Sequence, residues 1–141
     1  MEVERVLPAP SSVVFAAFTD PNGLANWWGP HGFTVADVKF QAQVGQRYRI
    51  TMQPPEGEPF HLSGEIREVE APVRLVYTFV YEEPAPDDVE TLVSLSFRDL
   101  GEATAVTMTQ SGFKTGARRA RHRDGWADSF DELERFISAE V

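Results

Sequence analysis

Arg119, His122 and Trp126 are the residues whose types and spacing come nearest to chemistry. His122 precedes Trp126 by four residues and follows Arg119 by three, so on a helix the three share one side. An imidazole titrates near neutrality when unperturbed. A guanidinium pairs strongly with carboxylates. Arg119 and His122 together could therefore orient the anionic or carbonyl end of a small ligand. A hydrogen-bonded histidine at a helix edge is the plainer reading of the same residue. Catalysis would need a base, a group that orients it and a nucleophile within reach, and the chain displays no such set. Glu65, on a strand after Gly64, is the carboxylate that could point inward, where burial would raise its pKa.

Other chemistries lack their residues. His31, His61 and His122 are far apart, and no His-x-x-x-His or paired-carboxylate motif occurs, so no metal site is expected. His61, beside Phe60, is expected to face solvent. No glycine-rich phosphate loop, G-x-S-x-G elbow or Walker sequence is present. Cysteine is absent, which removes disulfides and thiol nucleophiles. No cofactor is expected.

Aromatic residues carry the remaining signal. Trp27 and Trp28 are adjacent and followed by Gly29-Pro30. Neighbouring side chains point different ways, so one ring can serve the core while the other lines a cavity mouth. Tyr77, Phe79 and Tyr81 alternate and share one strand face. Phe33, Phe40, Tyr48, Phe60 and Phe97 also sit in strand-like segments. Ordinary core packing is the default for such a set. A curved sheet with one helix across it can also leave an apolar cleft, and tyrosines suit its rim because each adds a hydroxyl.

These residues must be held by a definite set of elements. Val3 to Leu7 reads as a first strand, stopped by Pro8-Ala9-Pro10. A helix capped by Ser11 or Ser12 runs to Phe18, with Val14, Phe15 and Phe18 as its apolar stripe. A second short helix spans Asn22 to Trp28 and breaks at Gly29-Pro30. Period-two patterning then predicts strands at Phe33–Val38, Arg47–Met52, Phe60–Val69, Leu75–Tyr81, Thr91–Phe97 and Thr104–Met108. Glu82 to Asp88 is an acidic, proline-containing loop. Gly116 to Val141 returns to helical period, with Trp126, Phe130, Leu133 and Ile137 as one apolar stripe. Seven strands, two short helices after the first and a long terminal helix predict an α+β architecture, with a curved antiparallel sheet around that helix.

The 141 residues fit a single domain, 1–141, able to bury roughly 70% of its unfolded surface. A net charge of −9 disfavours nucleic acid and anionic membranes. The run Arg118-Arg119-Ala120-Arg121-His122-Arg123 is the local exception. At a helix start it opposes the dipole, and Glu82, Glu83, Asp87 or Asp88 could offset it; a partner's acidic surface or a ligand carboxylate is the sharper alternative. No apolar run reaches the roughly 18 residues of a membrane span, and no signal peptide is visible, so a cytoplasmic location is expected.

Several segments resemble one family. Trp27-Trp28-Gly29-Pro30 with Phe33-Thr34-Val35, Val44-Gly45-Gln46-Arg47-Tyr48-Arg49, Ser63-Gly64-Glu65-Ile66-Arg67-Glu68-Val69, Arg74-Leu75-Val76-Tyr77-Thr78 and His122-Arg123-Asp124-Gly125-Trp126 follow its pattern in order. The chain is identified as similar to the activator of Hsp90 ATPase homologues, within the START-like, Bet v 1-like (SRPBCC) superfamily. The resemblance implies a helix-grip fold with an internal cavity. It also implies ligand classes such as lipids, sterols, hormones or polyketides, and for some members cyclisation or hydrolysis. No separate amino-terminal domain is expected, which would set the chain apart from the eukaryotic activator.

The expected function is binding of a small hydrophobic or amphipathic molecule between sheet and terminal helix, with no assigned reaction. Trp28, Phe33, Tyr48, Tyr77, Phe79, Trp126 and Phe130 would give apolar contact, and Arg119 and His122 would orient a polar end. The alternatives are a chaperone- or regulator-interacting protein, and a cyclase or hydrolase using His122, Tyr77 or Glu65. Exposed strand edges leave both monomer and homodimer open.

Overall fold

The computed structural model describes residues 1–140. The elements in chain order are β1 (Glu2–Leu7), α1 (Ser11–Thr19), α2 (Pro21–Trp27), β2 (Thr34–Lys39), β3 (Arg47–Gln53), β4 (Phe60–Glu70), β5 (Arg74–Tyr81), β6 (Thr91–Asp99), β7 (Thr104–Ser111) and α3 (Gly116–Glu140). All seven strands join one antiparallel sheet in the order β1-β7-β6-β5-β4-β3-β2. Strands β2 to β7 form a meander, and β1 closes the far edge beside β7. This is the expected α+β helix-grip arrangement. Val141, the expected last residue of the terminal helix, lies outside the described residues.

Local chemistry explains the element ends. Neither Ser11 nor Ser12 caps α1. Pro10 takes that position in extended geometry, and its carbonyl accepts the N–H groups of Val13 and Val14 at 3.0 and 3.1 Å. Ser11 is instead buried within the first turn. Asp20 caps α2 with its carboxylate, which accepts from the Asn22 N–H at 3.0 Å, and Pro21 sits at the first helical position. Thr115 Oγ1 accepts the Arg118 N–H at 3.1 Å at the start of α3.

Period-two burial marks the inner sheet face. On β6, Thr91, Val93, Leu95 and Phe97 are buried, whereas Leu92 and Ser96 are exposed. Helix α3 lays Trp126, Phe130, Leu133 and Ile137 against that face. Phe15 and Phe18 of α1 meet Phe97 edge-on, at centroid distances of 5.2 and 5.3 Å.

Strands β4 and β5 approach so closely that only glycine fits at position 64. A Cβ there would lie 1.9 Å from the Thr78 carbonyl oxygen and 2.7 Å from the Tyr48 ring. The space goes to Tyr48, whose hydroxyl donates to that carbonyl at 2.6 Å. A register shift between Ile66 and Glu68 follows, and such bulges bend a sheet.

Candidate functional site

Helix α3 presents two different stripes to the concave sheet. With about 100° between successive residues, Trp126, Phe130, Leu133 and Ile137 form one stripe and Arg118, His122, Gly125 and Ser129 another. The first packs into the core. The second roofs an open cavity of about 330 Å³ between the helix, the sheet and the segment after α2. That volume lies near the lower end of small-molecule sites, which run from roughly 300 to 1,000 Å³.

Rings make most of the wall. Phe33 stacks edge-on with Phe60 at 6.1 Å, Phe60 meets Tyr81 at 6.0 Å, and Tyr81 meets Phe79 at 5.3 Å. Across the cavity, Trp28 sits edge-on to Trp126 at 5.1 Å. Met52 and Leu62 add aliphatic surface from β3 and β4.

The two adjacent tryptophans divide as expected. Trp27 is 1% exposed, donates its indole N–H to the Ala17 carbonyl at 2.8 Å and packs on Phe18 at 4.8 Å. Trp28 lines the cavity. Gly29 makes this turn possible. Its φ is +105°, which glycine alone adopts readily, and a Cβ would lie 2.5 Å from the end of Met52. The Gly29 N–H donates to Ser129 Oγ at 3.0 Å, which ties the segment to α3.

The polar end lies near the start of α3. His122 is surrounded by the rings of Phe113, Phe79 and Tyr81, with centroids 4.9, 5.5 and 5.7 Å away. Burial lowers its pKa to about 4; Asp88 opposes this, and the weaker Arg118 and Arg121 charges add to the lowering. The ring is therefore neutral at physiological pH, with one donor and one acceptor nitrogen. Sequence reasoning placed its titration near neutrality; the aromatic enclosure moves it well below. Burial likewise pushes the Tyr81 phenol up to about 12.

Arg118 Nε lies 2.9 Å from Asp87 Oδ1 and 3.2 Å from Asp88 Oδ1. The N–H direction misses both oxygens, so this is an ion pair without a directed bond from Nε. It depresses the Asp87 pKa. Two of the four acids expected to offset the arginine cluster thus do so. Glu82 pairs with Arg49 and Glu83 with His61, on the opposite strand face. Arg121 also lines the cavity, is exposed, and has no ion-pair partner among the described residues.

Of the expected contact residues, the fold gathers Trp28, Phe33, Phe79, His122 and Trp126 on the cavity. Tyr48, Tyr77 and Phe130 lie in the packed core: Tyr48 and Tyr77 meet edge-on at 5.1 Å with Phe40 beside them. Arg119 is turned away by its 100° step from Arg118 and borders a separate cavity of about 310 Å³ with Met1 and Phe113. Glu65 does not point inward; it pairs with Arg67 at 2.8 Å and is 38% exposed. Gly125 and Ser129 escaped sequence reasoning, although each lies one helical turn or less from a neighbour on the His122 side, whereas Arg118 and Arg121 were legible as members of the arginine run. Phe60 and Tyr81 were legible as aromatics of a possible cleft, and both line the cavity.

One juxtaposition was invisible in sequence. His31, Asp128 and Asp131 bring ligand-type atoms within 4.8 Å of one another. Arg5 stands 3.0 Å from Asp131, and the His31 Nε2 lies 3.4 Å from both aspartates, so the carboxylates already face the protein's own basic groups.

Comparison with known proteins agrees with this architecture. The model of the family described as "Activator of Hsp90 ATPase homolog 1-like protein" matches residues 8–138. The chain belongs to that family, whose START-like fold generally binds ligands in a cavity. A solved Chromobacterium violaceum protein is 25% identical, with 97% of this chain and 95% of that one covered and a TM-score of 0.89. A Silicibacter pomeroyi protein of the same family is 22% identical, covers 100% and 99%, and has a TM-score of 0.88. A Nitrosomonas europaea protein is 24% identical, covers 99% and 94%, and has a TM-score of 0.83. The last two likenesses speak to the fold alone. No curated protein matches the chain. No helix among the described residues is long and apolar enough to cross a membrane.

Proposed function

We propose that this protein binds a small hydrophobic or amphipathic molecule in the cavity roofed by Arg118, His122, Gly125 and Ser129. Gly125 is the observation that carries the reading. A glycine inside a helix costs roughly 0.5–1 kcal/mol relative to alanine. No packing demands it here, because an added Cβ would meet only the Pro30 ring carbon at 3.6 Å, an ordinary contact. The residue faces the cavity. Its missing side chain keeps space open where a packed core would fill it.

The division of surfaces supports the same reading. Trp28, Phe33, Phe60, Phe79, Tyr81 and Trp126 offer apolar contact, and the charged groups Asp88, Arg118 and Arg121 stand with His122 toward the start of α3, as in sites that orient small molecules. No base, orienting group and nucleophile converge among the described residues, and binding without a reaction is the function proposed.

The test is to titrate wild-type protein and Gly125→Leu with a panel of neutral and charged aromatic amphiphiles, following Trp fluorescence. Wild type should respond saturably to some of the panel, and the leucine variant should lose at least about tenfold in affinity for each responder. Unchanged affinities in the variant would sink the cavity reading. The family description names activation of the Hsp90 ATPase, and a protein-partner role rests on that description. Stimulation of an Hsp90-type ATPase, equal in wild type and Gly125→Leu, would favour that role instead.

A further inference from the structure

We infer that the cavity selects an anion: a carboxylic acid with a flat aromatic body, its carboxylate held by Arg121. This rests on the ligand-binding reading above and specifies its ligand. The chain carries 13 basic residues, of which six pair with carboxylates and seven have no ion-pair partner among the described residues, so what sets Arg121 apart is its place on the aromatic cavity. Arg5, Arg49, Arg67, Arg74 and Arg135 all pair with carboxylates on the surface. Arg118 pairs with Asp87 and Asp88. Arg121 borders the aromatic cavity and has no such partner among the described residues.

Asp88 also borders the cavity, but its carboxylate is engaged. It lies beside Arg118 Nε and accepts the Ala85 N–H at 2.9 Å. Arg121 sits in the second turn of α3, next to His122. Neutral His122 adds one N–H donor without further charge. The walls decide the rest of the ligand: Trp28, Phe33, Phe60, Phe79, Tyr81 and Trp126 present ring faces and edges, which suit a planar body better than a flexible chain.

Calorimetric titration of wild type and Arg121→Gln with 2-naphthoate, 2-naphthamide and octanoate tests this. Arg121 is exposed and unpaired, so the variant should fold. Wild type should bind 2-naphthoate about tenfold or more tightly than the amide and than octanoate, and Arg121→Gln should cut the acid-over-amide preference below about threefold. Raising the salt to about 1 M should erode the same preference. Equal binding of acid and amide by wild type would overturn the anion assignment and leave the cavity reading standing. An intact preference in Arg121→Gln would overturn the role of Arg121. Octanoate binding as tightly as 2-naphthoate would overturn the aromatic body. No heat from any of the three, with a fluorescence response to other amphiphiles, would overturn this inference alone; silence in both experiments would overturn it together with the cavity reading.

Discussion

Trp126 donates its indole N–H to Gln110 Oε1 at 2.8 Å, and that bond anchors the cavity roof to the sheet. Gln110 passes its amide N–H to Thr91 Oγ1 at 2.8 Å, and the Thr91 hydroxyl donates to the Phe79 carbonyl at 3.3 Å. The chain of bonds links α3 to β7, β6 and β5 and fixes two wall rings. Gln110 is fully buried, so its loss leaves groups at both ends without partners. Gln110→Leu should cost about 2 kcal/mol in urea unfolding. A loss below about 0.5 kcal/mol would show that the chain adds little to stability.

Two core tyrosines should respond oppositely to the same substitution. The Tyr48 hydroxyl donates to the Thr78 carbonyl, whereas the buried Tyr77 hydroxyl has no partner among the described residues. Burial raises the pKa of both phenols, so neither escapes by ionising. Tyr48→Phe should cost about 1 kcal/mol, and Tyr77→Phe should be neutral or stabilising by up to about 1 kcal/mol. Thermal unfolding of the two variants makes the comparison, and equal losses would contradict it.

His122 gives stability an acid dependence. Its folded pKa, about 4, is below the ordinary 6.5, so the unfolded chain takes up the proton more readily. Stability from this site is intact above about pH 6.5 and falls as the pH drops toward 4. The loss should total about 1–3 kcal/mol, reduced by the ring's partial exposure. Carboxylates add their own losses below about pH 4.5, so the diagnostic window lies above that. His122→Gln should flatten the stability profile between pH 6.5 and 4.5. A proton NMR titration of the wild-type imidazole should give a midpoint below about 5, and a midpoint near 6.5 would refute the enclosure.

Gly125→Ala should stabilise the protein by about 0.5–1 kcal/mol through helix propensity. A larger side chain should trade that gain against ligand binding. Destabilisation by alanine, read from urea unfolding, would mean that a packing constraint holds the glycine.

The fold was legible because its signals are periodic. Alternation marked all seven strands, and the stripe from Trp126 to Ile137 marked the face α3 buries. The site was only half legible because its roof is a second stripe on the same helix. That stripe contains Arg118, His122, Gly125 and Ser129, a mixture with no hydrophobic period. Choosing Arg119 over Arg118 followed from extending the core stripe toward the helix start, where the sheet beneath has already given way to the Phe113 segment. Tyr77 shares a strand face with Phe79 and Tyr81, but alternation fixes the face and not the depth along it. Two residues separate the packed core from the open cavity. The His31 contacts to Asp128 and Asp131 depend on where a loop meets a helix, which no local pattern encodes.

The most direct measurement is a two-dimensional amide and indole NMR titration of isotope-labelled protein with a responding amphiphile. Occupation of the cavity predicts that the indole N–H signals of Trp28 and Trp126 shift together at saturation, while that of Trp27, bonded to Ala17 in the core, stays in place. Saturable binding that leaves Trp28 and Trp126 unmoved, or that moves only residues far from α3 and β5, would contradict a guest between helix and sheet.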